Sequence, residues 1–249
     1  MSEIVRHASL TMHAERLQRD HVWDVVSATL ASLERHGIRA TVFVHPWEAI
    51  LAGADLGPRL RELADRGHEI GQHTHYYSVS AGRTVTNRDL SPSRIRACLD
   101  RDFGYLEQAG LRPRGYVSGG WAIHDEIYTW LRERGFDYDC SYRTYELGYR
   151  NPNATQGDRA SGPFLREGVL VIPTTGSLGD SVRGELMGRR RHVEVGSIRY
   201  ELWYLHDTDL VAARARVGLR ALRPILMRGR RWMPVSELAE RVRTARSHP

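Results

Sequence analysis

The stretch Gly67-His68-Glu69-Ile70-Gly71-Gln72-His73-Thr74-His75 places two imidazoles two residues apart. On an extended segment such residues project to the same side, and neutral imidazole is a common ligand for zinc and other borderline metals. His73 and His75 therefore make a sensible chelating pair, although the spacing alone also fits two polar histidines in an exposed turn. His13, His45 and His206 each close another β-rich run, so five of the twelve histidines fall at strand ends.

The elements that must position these residues alternate between strand and helix. His7 to His13, Arg39 to His45, His68 to Thr74, Gly115 to Ser118, Phe136 to Tyr142, Val169 to Pro173 and Ile198 to His206 read as strands. Trp232-Met233-Pro234 offers a short eighth. Between them, Val22, Val25, Val26, Leu30 and Leu33 recur at helical spacing before Gly37. Further helices are expected over Pro58 to Arg66, from Ser91 to Gly110, over His124 to Arg134, and from Ser236 onward. The interval from about Tyr145 to Glu167 reads as a long loop. Such alternation implies an α/β fold with a mainly parallel sheet, and in barrels of this kind the C-terminal strand ends carry function.

A chain of 249 residues with 41% hydrophobic and 27% charged residues has material for one large core, so a single domain over residues 1–249 is expected. No apolar run is long enough to span a bilayer and none near Met1 has signal-peptide length, which predicts a cytoplasmic protein without a membrane partner. Cys98 and Cys140 are too few for a disulfide framework and are expected to be reduced. The net charge of +6 is carried by arginine alone, since the sequence has no lysine. This chain-wide bias, without a recognised binding motif, argues for a solvated basic surface and against a nucleic-acid partner.

The stretch from Gly67 to Thr74 resembles the second motif of the polysaccharide deacetylases of carbohydrate esterase family four, the NodB-homology family. There the first histidine after the strand, here His73, binds metal. Ile38 to Val44 is similar to a strand of that family's barrel. Pro113 to Trp121 looks like a degraded third motif, and Leu202-Trp203-Tyr204-Leu205-His206-Asp207 resembles the fifth, whose histidine is the general acid. The resemblance implies a distorted (β/α)7-8 barrel, a divalent metal cofactor such as zinc, and removal of an acyl group from an amide.

The sequence departs from that pattern where the family keeps its base. Two adjacent aspartates are expected after the first strand, but Leu10-Thr11-Met12-His13-Ala14-Glu15 has His13 in place of the base and Ala14 in place of the metal-binding aspartate. A second histidine is expected four residues after His73, where Tyr77 stands. The arginine that orients the base corresponds to Val117. Loss of base and arginine together avoids an unpaired charge in a partly buried site. His13, His73 and His75 are therefore the expected metal ligands, a set whose open fourth position lowers the pKa of bound water to about 7.

His206 is the expected acid, with Asp207 or Asp139 holding its ring and Glu15 a candidate replacement base. Tyr77, Trp121 and Ser118 are candidate substrate contacts. The expected function is metal-dependent hydrolysis of a carbon–nitrogen bond other than a peptide bond, on a small soluble substrate such as an N-acylated sugar. Two alternatives stand beside it. One keeps the metal but carries out a non-hydrolytic reaction such as elimination, isomerisation or cyclisation; the other is a catalytically silent binding protein.

Overall fold

The computed structural model describes residues 6–80, 83–86, 91–146, 159–188, 191–211 and 229–247. In chain order the elements are β1 (Arg6–Ala14), α1 (Asp20–Glu34), β2 (Thr41–Val44), α2 (Trp47–Ala52), α3 (Gly57–Asp65), β3 (Glu69–Thr74), β4 (Tyr77–Ser80), β5 (Arg83–Thr86) and α4 (Pro92–Gln108). They continue with β6 (Gly115–Ser118), α5 (Asp125–Arg134), β7 (Tyr138–Asp139), β8 (Phe164–Arg166), β9 (Val169–Val171), β10 (Gly176–Ser177), α6 (Leu178–Leu186) and β11 (Val193–Val195). The last are β12 (Ile198–His206), α7 (Asp207–Val211), β13 (Arg230–Trp232) and α8 (Val235–Ser247).

Parallel pairing runs β12-β1-β2-β3-β6-β7-β9. The segment that begins as β9 against β7 ends as β10 against β12, with Thr175 N donating to Leu202 O at 2.8 Å. One segment thus bridges both ends of the curled sheet, giving a distorted (β/α) barrel with seven positions. The eighth strand expected at Trp232 to Pro234 is displaced: β13 pairs with Arg6 to Ala8 at the foot of β1, below the stretch of β1 that pairs with β2.

Strand alternation sorts the core into layers. Leu10, Met12 and Ala14 of β1 point outward onto Val22, Val26 and Leu30 of α1, while His13 points inward beside Phe43. The inner layer joins Phe43, Val117, Tyr138 and Leu202 to Leu238 and Val242 of α8. At the N-terminal end of the strands, Thr41 Oγ1 and Glu69 Oε2 accept the amides of Val235 and Ser236 at 2.9 and 3.0 Å. This satisfies orphan donors of the helix and closes that end with α8. The opposite end holds the histidines.

Several elements differ from expectation. Helix α2 follows Pro46, and the hairpin β4–β5 follows β3, where no element was expected. The interval from Tyr145 to Glu167 is not all loop: residues 147–158 lie outside the described ones, but Phe164–Arg166 pairs antiparallel with β9. Its turn places Glu167 and Gly168 at φ 51° and 84°, a primed hairpin turn without the usual Asn-Gly or Asp-Gly signal. No described helix is long and apolar enough to cross a membrane. Both cysteines are buried free thiols.

Candidate active site

Three strand ends and one turn converge at the open end of the barrel. Glu15 is the first residue past β1, His73 sits near the end of β3, His75 directly follows that strand, and His206 ends β12. Donor atoms of Glu15, His73 and His75 all lie within 4.8 Å of one another. Glu15 Oε1 is 3.0 Å from His75 Nε2 and 3.6 Å from His73 Nε2.

The protonation of His73 follows from its partners. Its Nδ1 faces the carbonyl of Val117 at 3.0 Å, which only accepts, so the ring proton sits on Nδ1. Burial holds this imidazole below its usual pKa despite the nearby Glu15 carboxylate. Its Nε2 lone pair is then buried without a hydrogen-bond partner and looks toward the Glu15 oxygen. Burial also lowers the pKa of His75. Glu15 goes the other way: burial would raise its pKa, but the imidazoles of His73 and His75 beside it outweigh this and keep it ionised. A lone pair facing a carboxylate is relieved by a cation between them, and a ligating histidine whose other nitrogen donates to a backbone carbonyl is the usual arrangement. The donor set therefore fits a divalent metal.

His75 is shaped by its neighbours. Its ring stacks on Tyr77 with centroids 4.9 Å apart and planes inclined by 18°. A Cβ on Gly119 would fall inside it, so the glycine after β6 provides the space the ring fills. Tyr77 supports His75 from the position where the family has its second histidine.

His13 lies beside the group formed by Glu15, His73 and His75 and not within it. Its ring is 4.8 Å from His73, stacks on Tyr204 at 5.3 Å and meets His206 edge-on at 5.3 Å. It is paired in register with His206. Burial, then His73 and His206, depress its pKa well below the usual value, so it is neutral near pH 7. His206 moves in the opposite direction. Burial lowers it, but Asp209 Oδ2, 3.5 Å from its Nδ1, and the carboxylates around it raise it on balance. Two imidazoles facing one space thus differ in proton affinity, the pattern expected of a base and an acid.

The residue that holds His206 is Asp209, which also accepts the His206 amide at 2.8 Å. Neither expected partner does so. Asp207 turns to β1, where its Oδ2 accepts the amides of Glu15 and Arg16 at 3.0 and 2.7 Å; burial, only partly offset by these bonds, brings its pKa to about 6. Asp139 lies on the outer face of β7, accepting Tyr128 Oη at 2.7 Å and Ser141 N at 3.0 Å, also with a burial-raised pKa of about 6. Ser118, buried and alternating with the inward Val117, likewise faces the outer layer. Trp121 does reach the site, 6.4 Å from His13 and 5.5 Å from Tyr204, with a left-handed φ of 57°.

Another imidazole lies beneath the set. His45 Nδ1 is 3.2 Å from His73 O and 3.4 Å from Asp102 Oδ2. Asp102 is fully buried and takes Arg101 Nε at 2.7 Å. His45 was visible as a strand end, but nothing local marks Asp102 or Asp209 as its counterpart or that of His206.

Residues 18–138 match the family model "Polysaccharide deacetylase". Over this stretch, just under half of its length, the chain is similar to that family. A Mycobacterium smegmatis protein assigned to the polysaccharide deacetylases superposes with a TM-score of 0.64 at 18% identity, covering 96% of this chain and 91% of that one. A family four acetyl xylan esterase from Clostridium thermocellum, in complex with a cobalt ion, gives 0.50 at 15% identity over 94% and 90% of the two chains. A peptidoglycan N-acetylglucosamine deacetylase gives 0.53 at 13% identity over 93% and 86%. At such identities these likenesses establish the fold. No curated protein matches by sequence.

Proposed function

We propose that this chain is a zinc-dependent amide hydrolase that removes the acyl group from a small soluble N-acylated sugar or similar intermediate. The observation that carries this reading is the unpartnered Nε2 of His73 facing the Glu15 carboxylate, with His75 Nε2 on the same oxygen. Glu15, His73 and His75 would hold the ion. Bound there, a divalent metal polarises an acyl carbonyl and makes water more acidic.

The chain's own residues supply the proton transfers. His13, neutral and without a carboxylate of its own, accepts a proton from the attacking water. As the carbon–nitrogen bond breaks, His206 gives its proton to the departing nitrogen. Asp209 keeps that imidazole oriented and charged. The products are a carboxylic acid and an amine. Trp121 and Tyr204, with ring centroids 5.5 Å apart, form an aromatic wall beside the reacting groups.

The test is zinc stoichiometry on the purified protein, followed by acetate release from a panel of N-acetylated amino sugars, free and nucleotide-linked. One zinc per chain and acetate release are expected. Bound zinc with no acid released from any amide would sink the hydrolytic reading and favour a non-hydrolytic reaction. Absence of metal binding would favour a silent binding protein.

A further inference from the structure

Glu15 has no strand ladder to hold it. β1 ends at Ala14, and the last paired residues of β1 and β12 are His13 and His206. Beyond that point the backbone pairing is replaced by one side chain. Asp207, next after His206 and fully buried, receives the amides of Glu15 and Arg16 on Oδ2 and that of Thr208 on Oδ1 at 2.8 Å. The carboxylate therefore extends the β1–β12 junction to the residue whose side chain meets His73 and His75.

We infer that Asp207 is a positioning residue that sets the metal affinity of the Glu15–His73–His75 site by clamping the turn that carries Glu15. The inference rests on the metal reading above. A glutamate side chain has three rotatable bonds, and this one is partly solvent-exposed. If its backbone is also released, its carboxylate must be ordered at the expense of binding. Groups that orient a metal ligand typically govern affinity by about 10–100-fold. The clamp also ties the acid to the metal site, since His206 and Asp207 are consecutive and each is fixed to β1.

The test is a double-mutant cycle read by cobalt titration of the metal-free full chain, following the visible absorption of bound Co(II). Asp207→Asn keeps one acceptor oxygen and turns an amide NH2 toward donors. It is expected to weaken cobalt binding about tenfold. Glu15→Ala is expected to weaken it further, and the double variant to match Glu15→Ala alone, because a clamp on an absent ligand has nothing to position. Asp207→Ser, a smaller acceptor, serves as the second variant if Asp207→Asn does not fold. Unchanged affinity in a folded Asp207 variant, or losses that multiply with that of Glu15→Ala, would overturn the inference while leaving the metal reading intact. A wild-type chain that binds no cobalt would overturn both.

Discussion

Glu15 Oε1 lies 3.0 Å from Nε2 of His75, although the family pattern places its metal-binding carboxylate one residue earlier, at Ala14. Ala14 is buried in the outer apolar layer, whereas Glu15, on the turn, reaches back over the strand ends. Glu15→Gln should therefore weaken zinc binding by at least about tenfold while leaving the metal-free chain folded. Binding should also fall in acid, because His73 and His75 bind metal only when neutral. Isothermal titration at several pH values checks both, and an unaltered affinity in Glu15→Gln would remove Glu15 from the site.

The place of His13, beside the three clustered donors and not among them, should separate binding from turnover. His13→Ala is expected to retain one zinc per chain and to lose about 10²–10⁴-fold in kcat, the usual size of a general-base contribution. Metal analysis and steady-state kinetics on the same preparation decide the matter. Loss of zinc from this variant would instead make His13 a ligand.

The opposed shifts of His13 and His206 predict a pH profile. His13 must be neutral and its pKa lies below the usual imidazole value, so the acidic limb of kcat/KM falls well below pH 6.5. His206 must be protonated and its pKa is raised, so the alkaline limb lies above pH 6.5. Asp209→Asn removes the bond that raises it and should move the alkaline limb downward with the acidic limb unmoved. The same pairing adds stability below pH 6.5, lost as pH rises through the raised His206 value; with both side chains more than a third exposed, solvent screening keeps that effect small. An alkaline limb that stays put in Asp209→Asn would exclude this role for His206.

How far the sequence could be read depended on how local each signal was. β2 was legible as a buried, β-branched run, and β1, β3 and β12 by their alternation with helical patterns and turn residues; His73 and His206 followed as strand-end residues. Asp139 and Ser118 also end strands, but alternation turns them outward, and the sequence does not say which parity faces the barrel axis. Read as one run from Phe136 to Tyr142, the strand around Asp139 hides that choice; in the fold only Tyr138 and Asp139 are in the ladder. Glu15 lies past the end of a strand, where periodicity carries no information. Its backbone amide is tied to Asp207, 192 residues away in the chain, and no local pattern encodes that contact.

Two glycines near the histidines should respond differently to one added methyl group. At Gly71, inside β3, a Cβ would collide with the Phe43 ring and approach the Gly115 carbonyl at 3.0 Å. Both lie in the barrel interior, so Gly71→Ala should lower unfolding stability by about 1–3 kcal/mol through overpacking, with whatever metal affinity the folded fraction retains close to that of the parent. At Gly119 the obstacle is the His75 ring itself. That ring is held against Tyr77, so Gly119→Ala should cost stability too, but unlike Gly71→Ala it should displace a ligand and weaken zinc binding by about tenfold or more. Chemical denaturation and zinc titration of the two variants test the contrast. Equal losses of affinity, or a Gly119→Ala chain that binds zinc like the parent, would show that His75 does not need the position in which Gly119 and Tyr77 hold it.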